Sequence, residues 1–96
     1  MPSDETSPEI AQFLTHLEKE RDVSPNTTTA YRRDLQGFRT FLQAHLGTPE
    51  VAWEQVDRLT MRSWLAHLNR SGLSKRSSAR ALSAVRSFYR FLHRSD

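Results

Sequence analysis

The chain has 96 residues, a net charge of +3, a pI near 10.0 and no cysteine. That length fits one domain with a modest core and excludes two. It also excludes a disulfide scaffold and a thiolate metal site, and no apolar run approaches the roughly 20 residues of a membrane span. Hydrophobic residues make up 36%, below the roughly 45–50% usual for globular domains, so the aromatics carry an outsized share of any core. The acidic, polar N-terminus is unlike a signal peptide. The expectation is a soluble, cytoplasmic protein. Three glycines and few β-branched alternations argue for helices over sheet.

Residues 1–6 have no period and are expected to form a flexible arm. Ser7-Pro8-Glu9 reads as a helix start, with Ser as N-cap, Pro at the first helical position and Glu near the positive end of the dipole. Ile10, Phe13, Leu14 and Leu17 give this first helix one apolar stripe, and it is expected to end near Arg21. Ser24-Pro25-Asn26 repeats the start signal and opens a longer helix whose stripe is Tyr31, Leu35, Phe38, Phe41, Leu42 and Leu46. Gly47 stops it, with Pro49 just beyond. A connecting segment follows over residues 48–59, tied to the core by Trp53, Val56 and Leu59, with a single turn expected from Pro49 to Gln55. Thr60 is read as the N-cap of a third helix, with Met61, Trp64, Leu65 and Leu68 inward and Ser71-Gly72 as its end.

The fourth helix, over residues 74–94, is the most informative stretch. Ala79, Leu82, Val85, Phe88, Tyr89 and Leu92 follow steps of three and four on one side. Arg76, Arg80, Ser83, Ser87, Arg90 and Arg94 follow the same steps on another. Lys75, Arg76, Arg80, Arg86, Arg90 and Arg94 lie along it with no Asp or Glu. An ordinary solvated helix mixes both signs, because Glu–Lys pairs one turn apart stabilise it. A cationic face studded with Ser and free of acids fits a polyanion, and a nucleic-acid backbone best of all. The sum is a small all-α bundle of four helices.

Catalysis finds no support. His16, His45, His67 and His93 fall on four different helical stretches and are read without a close acidic or Cys companion, so they are assigned to the surface or its boundary. No phosphate loop, dinucleotide fingerprint or nucleophile elbow is present. Tyr31 and Tyr89 sit on apolar stripes and read as core residues. No cofactor or metal is expected. The candidate DNA-binding residues are Lys75, Arg76, Ser77, Arg80, Ser83, Ser87 and Arg90 on the fourth helix and Asn26, Thr28, Thr29, Arg32 and Arg33 at the start of the second. Arg offers forks for phosphate and guanine, and Ser, Thr and Asn are common phosphate and base-edge partners. A capping cluster is the competing explanation for the Thr-rich start of the second helix. The competing function is a helical protein–protein adaptor whose basic face docks an acidic partner.

Two stretches carry a family resemblance. Ser24-Pro25-Asn26-Thr27-x-x-x-Tyr31-x-x-Asp34-Leu35-x-x-Phe38-x-x-Phe41-Leu42 resembles the opening of the core-binding domain of tyrosine recombinases. Gly72-Leu73-Ser74-x-x-Ser77-x-x-Arg80-x-Leu82-Ser83-Ala84-Val85-Arg86-Ser87-Phe88-Tyr89-Arg90-Phe91-Leu92 is similar to its final helix and close to the Xer, XerC-like branch. The resemblance implies a SAM-like orthogonal four-helix bundle over residues 7–96, at the N-terminus of a longer enzyme. It implies that the second and fourth helices cross in the major groove of one recombination half-site, with Thr28, Thr29, Arg32, Arg33, Arg76, Ser77, Arg80 and Ser83 facing the groove. The family's tyrosine nucleophile and its Arg, His and Lys partners lie in a second domain. A chain ending at Asp96 lacks that domain, so the expectation is a monomeric fragment without recombinase activity, whose parent meets sister protomers in a synapse.

Overall fold

Three Ser-led starts and two left-handed glycines, Gly47 and Gly72, punctuate the helices of the computed structural model, which describes residues 7–94. The first helix, α1, spans Pro8–Glu20, and the Ser7 hydroxyl accepts the Ile10 N–H at 3.1 Å. The second, α2, spans Pro25–Leu46, with the Ser24 hydroxyl accepting the Thr27 N–H at 3.2 Å. It closes on Gly47 at φ 71°, a left-handed conformation that costs a side-chain-bearing residue more than glycine. A single 3₁₀ turn at Trp53–Gln55 interrupts the connection to the third helix, α3, at Arg58–Arg70. The last helix, α4, spans Lys75–His93, capped by the Ser74 hydroxyl on the Ser77 N–H at 3.1 Å. No strand occurs among the described residues. The fold is the all-α, SAM-like four-helix bundle that the sequence implies. The expected arm, residues 1–6, lies outside the described residues, as do residues 95 and 96.

Packing follows the apolar stripes. Ile10, Phe13, Leu14 and Leu17 of α1 meet Leu35, Phe38 and Leu42 of α2, Trp64 and Leu68 of α3, and Ala81, Ala84, Val85 and Phe88 of α4 in one buried core. Phe88 sits at its centre, edge-on to Phe13 at 5.7 Å and to Trp53 at 5.0 Å between ring centroids. Phe38 meets Trp64 edge-on at 4.8 Å. Burying a side chain of this size stabilises by roughly 2–3 kcal/mol, so these few rings compensate for the low apolar content. The small Ala81 and Ala84 let α4 approach α2, and these two helices pack together more extensively than any other pair.

Several expectations need correction. Asp57, not Thr60, caps α3: its Oδ1 accepts the Thr60 N–H at 2.8 Å, and Thr60 is buried in the first turn. A carboxylate is the stronger acceptor and suits the positive helix end, and this hydrogen bond holds the Asp57 carboxyl below its ordinary range. Leu59 and Leu46, expected inside, are 70% and 43% exposed, and Ala79 is exposed as well. Ala79 lies at the solvent edge of the α4 stripe, whose buried centre line runs through Ala81, Ala84, Val85 and Phe88. His16 does have an acidic companion, one turn along: its Nδ1 lies 3.3 Å from Glu20 Oε1.

Candidate nucleic-acid interface

Where the third and fourth turns of α2 meet the first turns of α4, an acid on α2 reaches an arginine on α4. Asp34 falls on the buried stripe of α2, between Tyr31 and Phe38, and its side chain is 5% exposed. A carboxylate removed from water needs a partner. Arg80 supplies it through a side-on fork, Nε to Oδ2 at 2.8 Å and Nη2 to Oδ1 at 2.9 Å. This hydrogen-bonded partnership raises the Arg80 guanidinium further above its already high ordinary value. The Arg80 side chain is 38% exposed, so the pair stands where the core meets the surface.

Beside the pair lies a groove of about 350 Å³. Arg33 and Gly37 line it from α2, Ser77, Arg80 and Ala81 from α4, and His67 and Ser71 from the end of α3, over a floor that includes Phe38, Trp64 and Leu68. Three of the residues chosen from sequence, Arg33, Ser77 and Arg80, therefore converge on one concavity. Asn26, Thr29, Arg32, Lys75, Arg76 and Ser83 are exposed. Asn26, Thr29 and Arg33 follow steps of three and four, so they form one edge of α2. Arg32, Arg33 and Arg76 form no ion pair among the described residues.

Ser87 and Arg90 stand elsewhere. They line a second groove against α1, with His16, Arg21 and Arg94, about ten residues or roughly 15 Å further along α4. Arg94 rests its guanidinium over the Phe91 ring at 4.6 Å. Arg21 of the α1 end thus joins Arg90 and Arg94 of the cationic stripe.

Two candidates need revision as surface residues. Thr28 is 2% exposed, and its hydroxyl donates to the Ser24 carbonyl at 3.2 Å. It is a capping and packing residue and does not face a groove. Arg80 is committed to Asp34 and is not a free cation. Asp34 is the residue the sequence reading passed over. The signal was available: an acid on an apolar stripe, opposite a helix carrying arginine and no acid, calls for a buried pair. Among the described residues no group of His, Asp or Glu is arranged to hold a metal ion, and no helix is long and apolar enough to cross a membrane.

Comparison with known proteins agrees with this architecture. A family profile described as the phage integrase N-terminal SAM-like domain matches residues 10–96. Over 87 residues the chain is 46% identical to tyrosine recombinase XerC of Lacticaseibacillus casei, covering 91% of this chain and 28% of that protein. XerC of Pelobacter propionicus is 46% identical over 86 residues, covering 90% and 28%. XerC of Chlorobaculum parvum is 45% identical over 86 residues, covering 86% and 26%. The chain thus spans little more than a quarter of the length of these relatives. No solved structure matches it.

Proposed function

This chain belongs to the phage integrase N-terminal SAM-like domain family, and we propose that it is the DNA-gripping domain of a site-specific tyrosine recombinase. Residues 7–96 are the core-binding unit, and the starts of α2 and α4 enter the major groove of one recombination half-site. Arg32, Arg33, Arg76 and Lys75 neutralise phosphates, while Asn26, Thr29, Ser77 and Ser83 supply neutral donors and acceptors to backbone and base edges. Arg90 and Ser87 extend the contact along α4. The relatives are named tyrosine recombinases, so strand breakage and rejoining belong to the whole enzyme, together with the sister protomers of its synapse. The cytoplasm, where chromosomal DNA lies, is the compartment this role requires. The domain acts on its half-site as a monomer.

One observation carries this reading: Arg33, Ser77 and Arg80 line a common groove, and exposed, unpaired Arg76 lies one turn before Arg80 on a helix without an acid. The rival is a helical adaptor whose basic face docks an acidic partner. Titration of the isotope-labelled chain with duplex DNA, and separately with an acidic peptide, distinguishes the two. The expected result is salt-sensitive shifts with duplex, mapping to residues 26–33 and 75–90. Shifts with the peptide alone would overturn the reading in favour of an adaptor.

A further inference from the structure

Within the DNA-binding reading, which this inference presupposes, Arg80 differs from every other arginine on the proposed surface. A guanidinium has five N–H groups. Asp34 takes one on Nε and one on Nη2, which closes the side-on edge. Three N–H groups remain, and two of them, one on Nη1 and one on Nη2, form the end-on edge. The partly exposed guanidinium borders the groove shared with Arg33 and Ser77. Its rotamer is fixed by a carboxylate that is itself buried on α2 and cannot follow it into solvent.

Two consequences follow from charge and from entropy. Seen from a phosphate several ångströms away, the Asp34–Arg80 pair is neutral, so it releases few counterions and adds little to non-specific affinity. Seen from a base edge in contact, the end-on fork is already oriented, and less rotamer freedom is lost when it binds. We infer that Asp34 is a specificity-determining positioning residue, which withdraws Arg80 from phosphate neutralisation and presents its end-on fork to a base edge carrying two acceptors, the arrangement guanine offers in the major groove. The unpaired cations Arg32, Arg33 and Arg76 then supply affinity, and Arg80 supplies discrimination.

The test uses the 96-residue chain and a pool of duplexes with a randomised core. Wild type selects a preferred duplex from the pool. Affinities for that duplex and for a base-shuffled one are then measured across a range of salt. Asp34→Asn frees the Arg80 charge and breaks its fork. The shuffled duplex should bind several-fold more tightly, with a salt slope steeper by about one, and the preference for the selected duplex should fall roughly tenfold. Arg80→Lys keeps a cation opposite Asp34 without the fork, so preference should fall similarly while the salt slope and the melting curve stay close to wild type. A role confined to holding α2 against α4 would lower the melting temperature of Asp34→Asn and leave the preference of Arg80→Lys intact; that outcome overturns the inference. So does preference unchanged in both variants. Failure of wild type to retain any duplex would overturn the DNA-binding reading itself, and this inference with it.

Discussion

Tyr89 Oη donates a 2.7 Å hydrogen bond to the carbonyl oxygen of Trp53. The bond ties the 3₁₀ turn to α4 across 36 residues of sequence, and it gives the buried end of the phenol a partner. Burial raises the phenol above its ordinary value, which keeps it protonated and marks it as a structural group rather than a nucleophile. Tyr89→Phe should destabilise the domain by about 1 kcal/mol at neutral pH through the unpaired carbonyl. The sign with pH follows from the raised value. Below the unfolded value of about 10 the phenol is protonated in both states, and its contribution is complete. As pH climbs past about 10 the unfolded chain sheds the proton first, so the wild-type advantage shrinks. Urea melts of both proteins at neutral and alkaline pH should show the gap closing, and a constant gap would contradict the assignment.

Arg76 and Arg80 lie one turn apart on the same stripe, yet their removal should have different consequences. Arg80→Ala strips the partner from a carboxylate that is 5% exposed. It should destabilise by about 2 kcal/mol, less than a fully buried pair because the guanidinium reaches water. Arg76→Ala removes an exposed, unpaired cation. Stability should change by less than about 0.5 kcal/mol, while duplex binding weakens and its salt slope falls by about one. Thermal melts paired with binding isotherms separate the two effects, and equal destabilisation by both variants would contradict the distinction.

The helices were legible in the sequence because their ends are chemically marked. Ser-Pro pairs at residues 7–8 and 24–25, Ser74 and Gly47 each act through a local hydrogen bond or a backbone preference, and local signals survive without tertiary knowledge. What the stripes could not give was depth. Leu46 and Leu59 share the apolar chemistry of buried neighbours but stand at the end of α2 and in the first turn of α3, where no other helix covers them. Thr28 and Thr29 are adjacent and chemically identical, and a rotation of 100° buries one and exposes the other. Arg80 could be placed on the correct stripe, but its state depends on Asp34, 46 residues earlier. Pairing across helices is a property of the packed bundle, and periodicity within one helix does not contain it.

The cap of α3 offers a pH test in the opposite sense to Tyr89. Asp57 accepts the Thr60 N–H at 2.8 Å, and that bond lowers its carboxyl from the ordinary value. A lowered value means a contribution present above the unfolded value of about 3.9 and lost as pH falls through the folded one. Asp57→Ala should lower the melting temperature at neutral pH, whereas Asp57→Asn, which keeps an acceptor, should retain most of it. As pH falls through the lowered folded value, the wild type should approach Asp57→Ala. Thr60→Ala should not imitate the loss, since the backbone N–H at that position survives; if it does, Thr60 and not Asp57 holds the helix start.

Two glycines of α2 should respond to alanine with opposite signs. Gly37 lies in the helix interior, and nothing beyond its own helical backbone comes within 4 Å of where a Cβ would stand, so the methyl meets open space. Alanine there removes freedom from the unfolded chain and improves helix propensity, which should stabilise by up to about 1 kcal/mol. Gly47 also has open space around it, but its φ is +71°. An alanine must either hold the left-handed conformation at a cost of about 1 kcal/mol or abandon the hydrogen bond from its N–H to the Gln43 carbonyl. The two substitutions add the same methyl group to the same helix in equally open surroundings. Only backbone conformation distinguishes them, so chemical denaturation of the pair isolates that term. A destabilised Gly37→Ala would mean that something presses on this face of α2, the side that lines the groove with Arg33 and Arg80.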